Sequence, residues 1–340
     1  MAHNVAQWGR TGGKRVIPAG EETTQFGQPH EEPRVRRILV PVDGSARSEQ
    51  VLPAAALVAK AQLATIMLVR VLEPLIWPIW QEAWCVPPQQ YDDLLGGIRG
   101  YAAAGLARAE ARLRAAGVTV TPILLDGLPA TTLLDFEASH TPELCVLAAP
   151  GNDGFLRRLL GTLDDRLVSS GATPVLLLPP HSCGEPHLAR ALVPLDGSSD
   201  AESALPVVHI LAQKPLAHVR LLMALGDSAG RSIAESAQGR YVGTTSYATA
   251  YLEAIAAQLM CRGLTVEIVL SAERSPVAIP RAAAGMDLVI ASAPRRSALR
   301  GLRCRRSADR VARRLPIPRL LVPGGQSGAS DRGRSAGDSF

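Results

Sequence analysis

The stretch Val40-Pro41-Val42-Asp43-Gly44-Ser45 returns, nearly unchanged, as Val193-Pro194-Leu195-Asp196-Gly197-Ser198. Both copies continue in step, with Glu49, Leu52 and Pro53 set against Glu202, Leu205 and Pro206 at a constant offset of 153. Further on, Leu144 to Pro150 aligns with Leu288 to Pro294 at an offset of 144. Asp165-Arg166 and Pro174 then fall on Asp309-Arg310 and Pro318 without a gap. Duplication explains these coincidences better than chance, so the 340 residues divide into two copies of one domain.

The boundaries follow from what lies outside the copies. Residues 1–33 are rich in Gly, Gln, Glu and Thr with no periodic apolar pattern, and 325–340 are Gly, Ser, Asp and Arg. Both read as disordered tails. Residues 34–180 form the first domain and 188–324 the second, with a Pro/Gly-rich linker around His181 to His187. Apolar residues make up 47% of the chain and charged residues 20%, enough for two packed cores. No apolar run reaches the roughly 18 residues of a membrane span, and residues 1–15 lack a signal-type apolar stretch. A cytoplasmic protein is expected.

Within the first copy, short apolar runs alternate with helical patterns. Arg37 to Val42, Thr65 to Val71, Val118 to Leu125, Leu144 to Ala148 and Val175 to Leu178 read as strands. Glu49 to Ala61, Tyr91 to Ala116, Ala130 to Ser139 and Leu163 to Ser170 read as helices. The second copy repeats the strands at Ala191–Leu195, Val219–Ala224, Thr265–Leu270, Leu288–Ala291 and Leu320–Val322. Uniformly apolar strands alternating with helices predict a parallel sheet covered on both faces. The fold class is therefore α/β, with two tandem doubly wound, Rossmann-like domains of five parallel strands each.

Ligands of open parallel sheets bind beyond the carboxyl ends of the strands, where the strand order reverses. Two features fall there. Strand one ends in Asp43-Gly44-Ser45, and strand four runs into Ala148-Ala149-Pro150-Gly151-Asn152-Asp153-Gly154, followed later by Gly161-Thr162. Glycines let backbone N–H groups approach a phosphate, and Thr162 with Asp165 makes a capping pattern at a helix start. The plain alternative is that the glycines shape a loop, Thr162 caps a helix and Asp43 makes a turn.

The strand-end V-P-[VL]-D-G-S followed by a helix, together with a later G-x2-G-x9-G-[ST] pattern, resembles the universal stress protein family. The resemblance covers about residues 35–180 and again 189–324, so the chain looks like a tandem member. It implies an adenine nucleotide alpha hydrolase-like fold and an ATP site, with or without Mg. Under that resemblance Pro41, Val42 and Asp43 line the adenine side and Val71 packs on the base. Leu147 and Ala148 lie beside the ribose, while Gly151, Gly154, Gly161, Thr162 and Leu163 belong to the phosphate loop. Ala148 departs from the family pattern, which has a glycine there. Its methyl crowds the ribose and phosphate region. For Val71, plain core packing is an equal alternative.

The second copy does not keep the motif. Gly151, Gly154, Gly161 and Thr162 align with Arg295, Ala298, Arg305 and Arg306, although Asp196 remains. One nucleotide per chain, in the first domain, is expected. Residues 295–319 hold ten Arg and one acid, within a chain whose net charge is only +5. Such a cluster can attract an anionic partner, or it can be a solvated helix face in an Arg-biased composition. Nothing aromatic is interleaved with it, so nucleic acid is not expected. Trp77, Trp80 and Trp84 mark a Pro-interrupted stretch open to reading as a lid, a partner patch or a hydrophobic plug.

Five scattered cysteines make neither a disulfide framework nor a zinc site, and the histidines show no metal-ligand spacing. No acid, base or nucleophile converges with a partner. The expectation is a non-enzyme, with at most slow ATP hydrolysis, acting as an ATP-binding regulatory protein of a stress response. The resemblance implies that the two domains pair as an internal pseudo-dimer through their last strands, Val175 to Leu178 and Leu320 to Val322, and a homodimer of chains and a protein partner are both compatible with this. The alternative is an interaction scaffold that binds no nucleotide and carries an Arg-rich, anion-binding surface on the second domain.

Overall fold

The computed structural model describes residues 14–17, 34–73, 88–149, 172–179, 186–212, 214–226, 244–293 and 315–324. The elements run β1 (Lys14–Ile17), β2 (Arg37–Pro41), α1 (Ala46–Glu49), α2 (Leu52–Gln62), β3 (Thr65–Leu72), α3 (Pro88–Ala115), β4 (Val120–Asp126), α4 (Pro129–His140), β5 (Leu144–Ala148) and β6 (Val175–Leu178). The second half follows with β7 (Arg190–Leu195), α5 (Ser199–Glu202), α6 (Leu205–Leu211), β8 (His218–Ala224), α7 (Thr244–Met260), β9 (Thr265–Ser271), α8 (Ser275–Ala282), β10 (Leu288–Ala293) and β11 (Arg319–Pro323).

The strands form one sheet in the order β1-β9-β8-β7-β10-β11-β6-β5-β2-β3-β4. Each half contributes five parallel strands with the order reversing between its first and fourth, the doubly wound arrangement expected of the apolar runs. The two five-stranded sheets are joined by an antiparallel pairing of β6 with β11, in the register Leu177↔Arg319, Leu176↔Leu320 and Val175↔Leu321. Every residue of β6 is buried, and so are Leu320 and Leu321. An apolar strand of this kind left at a free edge would be an aggregation template, so each half needs the other. One core cluster accordingly runs across the junction, from Ile38 and Val146 through Leu176 and Leu320 to Ile290.

Gln62 braces the halves a second time. At the end of α2 its amide nitrogen donates to the carbonyls of Ile210 (3.2 Å) and Lys214 (2.5 Å) in the second half. The duplication also preserves a clamp at the strand starts. Glu143 accepts from the Arg37 N–H (2.7 Å), and Asp287 accepts from the Arg190 N–H (2.9 Å). These are equivalent positions of the two copies.

Two local differences from the sequence expectation have clear causes. The helix expected over Glu49 to Ala61 is two helices, because Ser45 caps a separate short turn and Pro53 opens a second helix in its first turn. Lys14–Ile17, read as part of a tail, is a strand that pairs antiparallel with β9, the outer strand of the second half. It covers an edge that would otherwise offer unpaired backbone groups. The expected helix from Leu163 to Ser170 and the Trp77, Trp80 and Trp84 stretch lie outside the described residues. Among the described residues, no helix is long and apolar enough to cross a membrane.

Leu176 is 2% exposed at the centre of the junction, opposite Leu320. Leu176→Asp would place a buried carboxylate against an apolar partner, and we expect it to cost several kcal/mol, on the order of 3–5. Urea denaturation would show a large fall in midpoint; an unchanged midpoint would mean the halves are not joined through β6 and β11.

Candidate functional site

In the first half the switch point lies between β2 and β5, whose carboxyl ends stand side by side at Pro41 and Ala148. The chain leaves β2 through Val42, whose N–H donates to the Val69 carbonyl (2.8 Å), and then turns sharply at Asp43-Gly44-Ser45. The Asp43 Oδ1 accepts from the Ser45 N–H (2.8 Å), and the Asp43 N–H donates to Ser48 Oγ (3.2 Å). Ser45 Oγ accepts from the Ser48 N–H (3.1 Å) and so caps α1. Gly44 has φ +83°, a left-handed conformation that favours glycine, and a Cβ there would lie 2.8 Å from Arg70 Nη1.

Partial desolvation alone would push the Asp43 carboxyl up. The hydrogen bonds from Ser45 and Ser48 together outweigh it and hold the group below the usual carboxylate range. Asp43 is nevertheless solvent-exposed, so an ionised acceptor faces outward at the strand end.

The remaining described candidates gather around this turn. Val42 is buried and Pro41 half-buried. Val71, at the end of neighbouring β3, is half-buried and packs on a cluster that contains Val69 and Leu147. Leu147 is buried on that same face. Ala148 is half-buried, and its methyl packs against the larger core cluster instead of standing free. Gly151, Gly154, Gly161, Thr162 and Leu163 lie outside the described residues, as does Arg295 to Arg314. Asp43, Val42, Pro41, Leu147 and Ala148 are thus brought to one strand-end edge with Val71 beside them.

The second half supplies an internal control. Asp196-Gly197-Ser198 makes the same turn, with Gly197 at φ +78°, Ser198 N–H donating to Asp196 Oδ1 (3.0 Å) and Ser198 Oγ capping α5. The turn is therefore a structural device of the repeat, and its geometry alone does not mark a ligand site. What surrounds it differs. Ser203 Oγ donates to Ser292 Oγ (3.0 Å), linking α5's end to β10, and a Cβ on Gly324 would lie 3.2 Å from Ser292 Oγ. Tyr251 Oη donates to Glu202 Oε1 (2.8 Å), and burial together with that carboxylate holds the phenol far above its usual range. Ser292 occupies the position of Ala148.

The sequence reading passed over Arg70 and Gly105. Arg70 Nη1 donates to the Ala102 carbonyl of α3 (3.2 Å), and a Cβ on Gly105 would lie 2.7 Å from Nη1. The available signal was a single cation inside the apolar run Thr65 to Leu72. Among the described residues there is no cluster of three or more His, Cys, Asp or Glu placed to hold a metal ion.

Two outcomes test this geometry. Gly44→Ala should cost on the order of 1–3 kcal/mol, from the left-handed backbone and the displaced guanidinium; a thermal midpoint equal to wild type would contradict it. For Asp43, a depressed folded-state pKa gives stability that is present above the unfolded value near 3.9 and lost as pH falls through the folded one. Asp43→Asn should therefore be less stable than wild type at pH 7 and converge on it below about pH 4. A difference constant with pH would sink the assignment.

The universal stress protein family model matches residues 34–179, the whole first half. A universal stress protein from Archaeoglobus fulgidus is similar over 86% of this chain and 98% of its own, at 18% identity and a TM-score of 0.59. A putative universal stress protein from Pseudomonas aeruginosa is similar over 85% of this chain and 94% of its own, at 15% identity and a TM-score of 0.51. A functionally unknown protein from another strain of that species gives 85% and 93% coverage, 16% identity and the same score. No curated protein matches the chain. The first half, residues 34–179, thus matches the universal stress protein family, and both halves together share the two-domain fold of these structures.

Proposed function

We propose that this protein is a nucleotide-binding regulator of the stress-response type, taking one ATP per chain in its first half. The observation that carries this is the difference between two strand-end sites built on the same turn. In the first half, Asp43 presents an ionised acceptor and Val71 and Leu147 an apolar flank, an acceptor and packing set that suits an adenine base. The chain leaving β5 there holds Gly151, Gly154, Gly161 and Thr162, the residue types a phosphate loop needs. In the second half the equivalent strand end is tied by Ser203 and Ser292, and the aligned loop carries Arg295, Arg305 and Arg306.

ATP, with or without Mg, supplies the ligand's base and charge, and the protein's own residues bind and orient it. Pro41, Val42 and Asp43 border the base, Leu147 and Ala148 the sugar, and Gly151, Gly154, Gly161, Thr162 and Leu163 the phosphates. The Ala148 methyl is compatible with this because it is spent on core packing. The role is binding without catalysis, in the cytoplasm, with the liganded state read by a protein partner or by the paired second half.

Calorimetric titration with ATP should give one site per chain, and Gly151→Arg with Gly161→Arg, the residues of the second half, should abolish it. Two equivalent sites would contradict the one-site reading. No binding by a folded chain would favour the alternative, a scaffold that binds no nucleotide.

A further inference from the structure

β4 and β9 are the same strand of the two copies, since Val120 pairs with Ile66 as Val266 pairs with Val219. Thr121 and Pro122 therefore correspond to Glu267 and Ile268. Both strands spend alternate residues on their inner neighbour. Beside β4, the Thr119 carbonyl accepts from the Ile66 N–H (2.9 Å), and the Gly127 N–H donates to the Leu72 carbonyl (2.9 Å). In β9, the Thr265 N–H donates to the Ala217 carbonyl (3.0 Å), and the Ser271 carbonyl accepts from the Leu225 N–H (2.7 Å). Odd-numbered residues thus bond inward in both strands. The backbone groups of Val120, Pro122 and Leu124 face outward on β4, as do those of Val266, Ile268 and Leu270 on β9.

The two outer edges are managed differently. Pro122 has no N–H, so β4 lacks an outward donor in its middle and is closed to strand pairing. Thr121 and Pro122 are exposed there. On β9 the same position carries Ile268 with its donor, and β1 takes it: Arg15 pairs with Ile268, and Ile17 with Val266. With β1 in place Ile268 is 1% exposed and Glu267 5%, and Glu267 holds an ion pair with Arg220 (2.6 Å) where the first half has Thr121 and Met67.

β1 reaches this edge from afar. It lies eight strands from β2 in the sheet, about 38 Å, and residues 18–36 make the connection. An unconstrained chain of that length spans about 25 Å on average, so docking β1 costs the connection conformational freedom. Without β1, the β9 edge is complementary to itself. Paired antiparallel about a two-fold axis at Ile268, Val266 of one copy faces Leu270 of the other and Glu267 faces Val269, so the carboxylates do not meet.

We propose that the outer edge of β9 is a strand-pairing surface whose partner is the same edge of a second copy of this chain, and that β1 is its removable cover. Ile268 admits a strand to this edge, and Pro122 refuses one at the other. The tethered β1 competes with the second copy at an effective concentration of about millimolar, which keeps the wild-type edge closed.

The test uses the full chain, with hydrogen exchange read by mass spectrometry and molar mass by light scattering, and circular dichroism as the check on folding. Arg15→Pro removes the N–H that meets Ile268. At low micromolar concentration the Val266 and Ile268 amides of this variant should exchange roughly tenfold faster than in wild type, while those of Glu267 and Val269, bonded to β8, keep their protection. On concentration the variant should dimerise and recover that protection, and wild type should show neither change. Arg15→Pro combined with Ile268→Pro should stay monomeric at every concentration. Unchanged exchange at low concentration would overturn β1 as the cover. A variant that loses protection and stays monomeric when concentrated would overturn the second copy as the partner, as would a dimer that survives Ile268→Pro. Arg15→Pro changes only the outermost strand, so its exchange and mass decide the matter even where the double variant does not fold.

Discussion

The antiparallel pairing of β6 with β11 is the constraint on which the rest of the molecule depends. Both strands are buried and, Arg319 apart, apolar, so neither half can present its last strand to water without exposing a sticky edge. Pairing them makes one sheet and one continuous core. It also points the strand-end sites of the two halves in relation to one another through rigid elements, with Gln62 as a second tie. A ligand that reorganises one half has a packed route to the other.

Once the halves are held together, they are free to diverge at their open ends. The turn that ends the first strand stays the same in both, because the left-handed glycine and the serine cap are demanded by the backbone. The side chains over the turn are not so constrained. One half carries Arg70 against Gly44 and Gly105, and the other carries Tyr251 and a serine pair. Duplication within one chain thus provides a bound partner that keeps the architecture while its strand-end side chains differ.

Much of this was legible in the sequence. Val175 to Leu178 is wholly apolar, which marks a strand buried on both faces, and the family resemblance pointed to its partner in Leu320 to Val322. The break between α1 and α2 was hidden because Glu49 to Ala61 keeps helical spacing through it. The strand Lys14–Ile17 was illegible: four residues carry no period, and the partner β9 lies far along the chain. Asp43 was readable both as a ligand residue and as a turn residue. The structure shows the turn in both copies, so the motif's carboxylate has a structural duty even where no nucleotide is expected. Arg70 offered no signal beyond a single cation in an apolar run, since only tertiary packing puts it beside Gly44 and Gly105.

The central claim is that two copies of one fold, sharing one core, retain a single nucleotide site. A crystal structure of the full chain grown with ATP tests it most directly. The account predicts one nucleotide per chain, with its base beside Asp43 and Val71 and none over Asp196. Nucleotide at both strand ends, or over Asp196 alone, would contradict it.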